Sequence, residues 1–246
     1  PGRRCPAGPG FAAGADAPTR QLDPARAMPH PEVPRPGMSQ EAVLDLFREC
    51  GAMLEGHFEL SSGLHSDRYF QCALLLQHPE QAAALARELA RRVRADLAGG
   101  APTCVIGPAL GAVTWAYECA RALGVRGLFS ERKDGGMQLR RGFALRPGER
   151  VLVVEDVLTT GGSAREVVKL VRELGAVPVA VGAIVNRSGR NPFEEDGLPL
   201  FALAEVVART WEPSAPPPEF RDSRPVKPGS KALATTAEDR KPGGRA

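Results

Sequence analysis

The sequence lacks the features that define several classes of protein. It contains no run of about 18 apolar residues, the length that a membrane-spanning helix needs. Its five cysteines are odd in number and form no C-x-x-C pair, so neither a disulfide framework nor a zinc site is predicted. Residues 1–37 carry acidic residues and no apolar segment of the kind found in secretory signals. These absences predict a protein of the cytoplasm that does not insert into membranes.

The chain also lacks a concentration of charge of one sign. The formal net charge is +3, but the Lys and Arg residues are scattered among acidic ones rather than clustered. Aromatic residues make up only 5% of the chain and form no stripe on which bases could stack. Binding to nucleic acid depends on a dense cationic surface, so no such partner is predicted.

Composition changes twice along the 246 residues. Residues 1–37 are rich in Pro, Gly and Ala and show no periodicity, which predicts a disordered tail. A similar change after Trp211 predicts a flexible C-terminal tail over 213–246. Between them, residues 38–212 have the length and composition of one globular domain.

Within this domain, helical and strand periodicities alternate. Helices are predicted at 39–53, 79–98, 111–123 and 162–174. Strands are predicted at 103–107, 126–130, 151–155 and 177–186. Apolar strands separated by helices indicate an α/β fold, with a mostly parallel central sheet flanked by helices. Ligands bind such sheets at the carboxyl ends of the strands.

The stretch VLVVEDVLTTGGS, residues 151–163, places two acids and a hydroxyl-rich loop at one such strand end. Glu155 and Asp156 follow the apolar run, and a predicted helix begins after Gly161. The loop therefore offers hydroxyl groups, backbone N–H groups and the positive end of a helix dipole in one small volume. Glycines let the backbone approach an anion closely. The segment has the properties of a phosphate site beside two carboxylates.

Three alternative interpretations fit parts of this segment. A Walker B strand also ends in acids, but its G-x-x-x-x-G-K-[ST] partner is absent from the sequence. A receiver domain would need an acceptor aspartate at a later strand end, and the strand ending at Asn186 has none. The third alternative is a buried strand with incidental acids, which leaves the following loop unexplained.

As a whole, the 151–163 segment resembles the signature of the type I phosphoribosyltransferases, which bind 5-phosphoribosyl pyrophosphate. The resemblance implies that Glu155 and Asp156 engage the ribose hydroxyls, with Asp156 among the catalytic residues. It implies that the following loop holds the 5-phosphate, through Val157, Leu158, Thr159, Thr160, Gly161, Gly162 and Ser163. Mg²⁺ is the implied cofactor, bound through the substrate, with the two acids as candidate protein ligands.

Residues 57–70, HFELSSGLHSDRYF, resemble the N-terminal hood of the orotate phosphoribosyltransferases, and the hood is predicted over 38–75. The family pattern F-x-L-x-S-G-x-x-S-x-x-Y/F is matched by Phe58, Leu60, Ser62, Gly63, Ser66, Tyr69 and Phe70. An ordinary β-hairpin with Gly63 in its turn would explain the same letters. The resemblance implies that orotate contacts Thr159, Arg187, Tyr69 and Phe70.

Two further segments match the family. GPALGA at 107–112 resembles its pyrophosphate loop, which implies a cis peptide bond near Ala109–Leu110. FSERKDGGMQLRRGF at 129–143 resembles a catalytic loop, so Arg132 and Lys133 are the implied catalytic residues that contact pyrophosphate.

The same comparison shows departures from the family pattern. The additional Lys and His of longer catalytic loops are missing, Arg140 and Arg141 are the only further cations nearby, and Ser61 stands where some members have Lys. A solvated hairpin over 131–143 is the alternative interpretation of the loop.

Taken together, the resemblances imply transfer of a phosphoribosyl group to orotate, giving orotidine 5'-phosphate and pyrophosphate in pyrimidine synthesis. They also imply a homodimer. A purine phosphoribosyltransferase shares the 151–163 element but is not expected to carry the hood. A non-catalytic regulator that senses the donor is the remaining alternative, and would ordinarily bring a nucleic-acid-binding surface.

Overall fold

The computed structural model describes residues 37–60 and 63–228. Of the tail predicted at 1–37, all but Gly37 lies outside the described residues, as do the end of the chain from 229 and the hood residues Ser61 and Ser62. None of the helices in the described part is both long and apolar enough to cross a membrane.

The helices and strands alternate along most of the chain. The helices are α1 (Gln40–Glu49), α2 (Cys72–Leu76), α3 (Pro79–Asp96), α4 (Ala112–Leu123) and α5 (Gly162–Glu173), with a 3-10 turn at Pro218–Phe220. The strands are β1 (Met53–Glu59), β2 (His65–Phe70), β3 (Cys104–Pro108), β4 (Arg126–Lys133), β5 (Gly136–Gln138), β6 (Arg150–Leu158), β7 (Val177–Asn186), β8 (Leu200–Glu205) and β9 (Thr210–Trp211).

Six strands form the central sheet in the order β5-β4-β3-β6-β7-β8. The pairs β4–β3, β3–β6, β6–β7 and β7–β8 are parallel, and only the short edge strand β5 is antiparallel to its neighbour. The predicted α/β class with a mostly parallel sheet is confirmed. Because β3, β6 and β7 are central, their carboxyl ends meet at one edge of the sheet, where the predicted ligand groups lie.

Apolar side chains cover both faces of this sheet. On one face, α1 to α4 pack against alternate strand residues such as Val105 and Leu152, and Trp115 of α4 is fully buried there. On the other face, α5 packs against Ile106 and Val153. A parallel sheet covered on both sides explains why these strands are continuous apolar runs in the sequence.

Several element boundaries differ from the predicted ones. The helix predicted at 39–53 begins as expected after Ser39, whose hydroxyl accepts a hydrogen bond from Ala42 N, but it ends at Glu49. Gly51 then adopts a left-handed conformation (φ +61°), and Met53 opens β1 instead. Strand β6 runs to Leu158 rather than stopping at 155, so the connection between β6 and α5 is only 159–161.

Strands β1, β2 and β9 form a separate antiparallel sheet, called the hood sheet below. Its β1–β2 hairpin is the one that the sequence allowed, with Gly63 at φ +84° between the strands. The third strand comes from far along the chain, where His65 and Ser66 pair with Trp211 and Thr210.

The chain continues to pack beyond the predicted C-terminal boundary at 212. Residues 213–228 return to the hood sheet, where Val226 exchanges backbone hydrogen bonds with His57 and Glu59. The rings of Trp211 and Phe220 stack at 5.1 Å and cover His57. The proline-rich composition suggested a flexible tail, but these two aromatic residues give the segment enough apolar surface to pack.

Candidate active site

The two acids lie near the carboxyl end of β6, and both are partly buried. Burial raises the pKa of Glu155 to about 9, assisted by the charge of Asp156 and a hydrogen bond between the two carboxyl groups. Burial also raises the pKa of Asp156, although the Val157 N–H donates a hydrogen bond to its Oδ1 at 2.9 Å. The two carboxyl groups therefore favour sharing a proton, and a cation bound beside them would favour its release.

The loop after β6 has the properties of an anion site. Thr159, Thr160 and Ser163 are exposed, and α5 begins at Gly162 with no side chain capping its N-terminus and no acid in its first turn. The first N–H groups of α5 are therefore available to a ligand at the positive end of the helix dipole. Gly161 turns the chain into the helix at φ +76°.

The loop after β3 approaches the acid pair from the neighbouring strand. A Cβ atom at Gly111 would lie 3.0 Å from Asp156 Oδ2, so the residue must be small for the carboxyl group to keep its place. The peptide bond between Ala109 and Leu110 is cis, as the family resemblance implied. The carboxyl ends of β3 and β6 thus contribute to one site.

Arg187 reaches this site from the end of β7. Its N–H donates to the Leu158 carbonyl at 2.7 Å, which places it directly beside Thr159. Asn186 Oδ1 accepts hydrogen bonds from the N–H and the hydroxyl group of Ser188, an Asx-turn that fixes the backbone around Arg187. The predicted acceptor residues Thr159 and Arg187 are therefore neighbours in the fold.

The Arg187 guanidinium lies between the sheet and the hood. Its Nη2 donates to Ser66 Oγ at 2.8 Å, and its Cζ lies 5.8 Å from the centre of the Phe70 ring. Its Nε is buried and has no hydrogen-bond partner among the described residues. Burial lowers the pKa of this guanidinium, but arginine remains charged at every physiological pH. A partly buried cation with an unpaired N–H group at the end of a strand is suited to an anionic ligand.

The structure places the two predicted hood aromatics differently from each other. Tyr69 is partly buried, and its pKa is raised by burial and by the nearby charge of Asp156. Phe70 is only 6% exposed and packs edge-on against Phe47 at 5.4 Å. The Phe70 ring therefore supports Arg187 from the core, whereas Tyr69 borders the acid pair.

The segment predicted as a catalytic loop is a hairpin in this structure. Strands β4 and β5 pair on either side of a turn at Asp134 (φ +52°) and Gly135 (φ +83°). Arg132 donates to Glu166 of α5 at 2.8 Å, and Lys133 is exposed. No hydrogen bond or ion pair found within residues 37–60 and 63–228 joins either cation to the acid pair.

The two further cations of this segment are also engaged. Arg141 forms a forked ion pair with Glu131, at 2.8 and 3.0 Å, and lies over the Phe129 ring. Arg140 lies 4.0 Å from the same carboxylate. The solvated hairpin that the sequence left open describes this arrangement.

Sequence reasoning did not predict the contacts of three residues that shape the site. Gly111 leaves room for Asp156, Asn186 builds the turn that carries Arg187, and Ser66 holds the Arg187 guanidinium. The N-x-S spacing at 186–188 is a recognisable Asx-turn signal. The other two contacts join segments far apart in the chain and leave no local pattern.

The acid pair fits a metal ion that is shared with substrate. Within the described residues, no three His, Cys, Asp or Glu side chains converge in a way that could hold a metal by themselves. Two adjacent carboxylates fit Mg²⁺ in its usual mode, in which one or two carboxylates and substrate phosphates share the ion with water.

Comparison with known proteins agrees with this geometry. The family model of the phosphoribosyl transferase domain matches residues 74–199. The chain is 50% identical over 196 residues to the orotate phosphoribosyltransferase of Pelotomaculum thermopropionicum, covering 80% of this chain and all of that protein. It is likewise 50% identical over 198 residues to the orotate phosphoribosyltransferase of Acidithiobacillus ferrooxidans, with the same coverage.

Solved structures give the same result at lower identity. The orotate phosphoribosyltransferase of Aeropyrum pernix aligns with a TM-score of 0.54 at 27% identity, covering 66% of this chain and 93% of that one. The enzyme of Mycobacterium tuberculosis in complex with inorganic phosphate aligns with a TM-score of 0.53 at 28% identity, covering 68% and 95%. The chain belongs to the orotate phosphoribosyltransferase family.

Proposed function

We propose that the protein transfers the phosphoribosyl group of 5-phosphoribosyl pyrophosphate to orotate, giving orotidine 5'-phosphate and pyrophosphate. The observation that carries the acceptor assignment is the Arg187 guanidinium, which lies partly buried between sheet and hood. Its buried Nε has no hydrogen-bond partner among the described residues. Orotate is a planar carboxylate, and an arginine fork recognises a carboxylate through parallel hydrogen bonds. Thr159 and Tyr69 border the same space, and Phe70 supports the arginine from below.

The donor is assigned to the acid pair and the loop of β6. Glu155 and Asp156 hold the ribose hydroxyls, and the segment 157–163 holds the 5-phosphate with its hydroxyl groups and N–H groups. The reaction centre at C1 becomes cationic as pyrophosphate leaves, so nearby carboxylates stabilise the sugar. Both halves of the donor site come from one continuous segment of the chain.

Arg132 and Lys133 are assigned to the leaving pyrophosphate. Arg132 is engaged with Glu166, but both side chains of that pair are well exposed, and such pairs contribute at most about 1 kcal/mol. A pyrophosphate can therefore compete for the guanidinium. Arginine does not readily give up a proton, so this segment acts by neutralising charge.

Mg²⁺ is the proposed cofactor. Glu155 and Asp156 are the residues that would contact it, together with oxygens of the donor. When bound, the ion supplies neutralisation of the pyrophosphate charge. The chain itself orients the ribose and the 5-phosphate, and the exposed residues Thr159 and Thr160 offer their hydroxyl groups for that task.

A homodimer and a reducing compartment complete the proposal. Leu110 is 89% exposed and Tyr117 65% exposed, and these two large apolar side chains lie in adjoining parts of the chain before and within α4. Exposed apolar side chains of this size are available to an interface with a second copy, which the family resemblance implies. The four described cysteines are free thiols, which supports the cytoplasm as the compartment.

The acceptor assignment is tested by offering the protein Mg²⁺, the donor and one base at a time. Orotate should be consumed, with release of pyrophosphate, whereas adenine, hypoxanthine and uracil should not. Consumption of a purine in place of orotate would contradict the acceptor assignment. Binding of the donor without turnover of any base would favour the sensing regulator.

The donor loop is tested by Gly161→Ala. A Cβ atom there would lie 3.0 Å from Pro192 and 3.1 Å from Phe193, and the left-handed backbone resists a side chain. We expect the loop to shift and the KM for the donor to rise roughly fivefold or more, a loss of about 1 kcal/mol of binding. The measurement is steady-state kinetics with the donor varied at saturating orotate.

Gly124→Ala is the matched control for this substitution. Gly124 has nearly the same φ (+73°) and follows the last residue of α4, but a Cβ atom there would have no described neighbour within 4 Å. The substitution should lower stability by a similar strain while leaving the KM for the donor unchanged. An equal rise in the donor KM of both variants would mean that backbone strain in general raises this KM, and that the loop at Gly161 has no specific effect on it.

A further inference from the structure

Ser66 is a buried hood residue that contacts the sheet domain through its side chain. It lies in β2, is 0% exposed, and pairs with Thr210 of β9 through the backbone. Its hydroxyl group reaches across to Arg187 at the end of β7, 121 positions away in the chain. A buried serine needs hydrogen-bond partners for its hydroxyl group, and the partners of Ser66 indicate its function.

The hydroxyl group of Ser66 has its full set of hydrogen bonds. It donates to the Arg68 carbonyl at 3.1 Å, and it accepts from the Arg68 N–H at 3.3 Å and from Arg187 Nη2 at 2.8 Å. A hydroxyl has one hydrogen to donate and two lone pairs. Because Arg68 takes the hydrogen and one lone pair, the remaining lone pair is directed at the arginine. Ser66 is thus held as an acceptor for Arg187.

The guanidinium has few other restraints. The Phe70 ring lies 5.8 Å from the Arg187 Cζ, and this contact alone does not prevent the guanidinium from rotating in its own plane. Its Nε has no partner within the described parts of the chain, and the one hydrogen bond found for the guanidinium there is the bond to Ser66. A charge-assisted bond of this kind determines which N–H groups remain directed at the ligand.

We propose that Ser66 is a positioning residue for the acceptor, which holds the Arg187 guanidinium in the orientation that binds the orotate carboxylate. The inference rests on the proposed role of Arg187. It gives the hood a function beyond covering the site, because β2 carries the group that orients the acceptor arginine. Strand β9 pairs with β2 through the backbone, so we expect the hood sheet to remain intact when the Ser66 hydroxyl group is removed.

The test is Ser66→Ala in the full-length protein with Mg²⁺, orotate and the donor. The KM for orotate should rise about three- to tenfold, the loss expected for one hydrogen bond to a charged group. The KM for the donor should stay within twofold, which a general loosening of the structure would not spare. Ser66→Thr keeps a hydroxyl group and should recover a large part of the orotate KM. An orotate KM unchanged in Ser66→Ala would overturn the inference.

A double substitution separates this inference from the function on which it rests. In an Arg187→Ala background, Ser66→Ala should cause no further rise in the orotate KM, because the residue acts through the arginine. A further rise of the full size would overturn the inference and leave the role of Arg187 intact. An orotate KM that Arg187→Ala itself does not change would overturn both the inference and the proposed acceptor site.

Ser223→Ala is the matched control within the hood. Its hydroxyl group bonds His57 Nδ1 at 2.7 Å and the Phe220 carbonyl at 2.9 Å, and these hydrogen bonds do not involve Arg187. Loss of the Ser223 hydroxyl group should weaken the packing of the 213–228 segment without changing the orotate KM. A rise equal to that of Ser66→Ala would show that any disturbance of the hood has this effect, and would overturn the specific role of Ser66.

Discussion

Replacing Glu155 with glutamine is expected to raise the stability of the unliganded protein while lowering its activity. The folded carboxyl group has a pKa of about 9, above its ordinary value of 4.5, because it is buried beside Asp156. Between these values the unfolded chain has already released its proton and the folded chain has not. The unfolded state binds fewer protons, so the free energy of unfolding falls as pH rises through this window.

Glutamine at position 155 does not titrate, so the fall in the free energy of unfolding with rising pH is removed. Its amide group can still donate a hydrogen bond to Asp156. We expect almost no gain in stability near pH 4.5, and a gain on the order of 2 kcal/mol at pH 8, or at least about 4 °C in the melting temperature. Glutamine cannot ionise beside a cationic sugar, so kcat/KM should fall roughly ten- to hundredfold. Thermal unfolding at pH 5 and pH 8 and steady-state kinetics measure the two effects.

Glu173→Gln is the control for this experiment. Glu173 is 59% exposed at the end of α5 and pairs with Lys169 across one helical turn, so its removal should change neither quantity appreciably. A stabilisation by Glu155→Gln that is the same at both pH values would contradict the assignment of a raised pKa to this residue. Undiminished activity of the Glu155→Gln variant would contradict the role of Glu155 at the ribose.

Arg187→Ala should raise the KM for orotate and lower kcat/KM by at least tenfold, roughly the loss of one charge-assisted contact. The KM for the donor should change little, because the phosphate loop and the acid pair are untouched. Arg187→Lys should have an orotate KM between those of the wild-type protein and Arg187→Ala, since lysine keeps the charge but loses the planar fork. The measurement is a two-substrate kinetic matrix for the three proteins.

Arg190→Ala provides a matched control from the same turn. Arg190 is exposed, and its structural contribution is the backbone carbonyl that accepts from Asn186 and Ser188. Alanine keeps that carbonyl, so the orotate KM should not change. If Arg187→Ala also left the orotate KM unchanged, the acceptor would have to be recognised elsewhere.

Much of the fold was accessible from the sequence because its signals are local. The apolar runs of β3, β6 and β7 and the spacing of Leu85, Leu89 and Val93 in α3 each indicate one element directly. Strand β8 was missed although five of its six residues are apolar, because so short a run is equally compatible with a buried helical segment. The return of 213–228 to the hood was missed because it depends on stacking of Trp211 with Phe220, a contact that local composition does not encode.

The candidate site divides in the same way. Glu155, Asp156 and the phosphate loop are contiguous, so their proximity follows from the chain itself. The contact between Arg187 and Ser66 spans 121 positions, and only the assembled fold brings the two together. The pairing of Arg132 with Glu166 depends on how the β4–β5 hairpin lies against α5, which no motif in 129–143 specifies.

A crystal structure of the protein with orotate, Mg²⁺ and a non-reactive analogue of the donor tests the central claim most directly. The account predicts the orotate carboxylate within hydrogen-bonding distance of the Arg187 guanidinium, with Ser66 still bonded to Nη2. It predicts the 5-phosphate on the N–H groups of 159–163 and the ribose hydroxyls on Glu155 and Asp156. Orotate bound away from Arg187, or a 5-phosphate bound outside the β6 loop, would contradict the division of the site into these two halves.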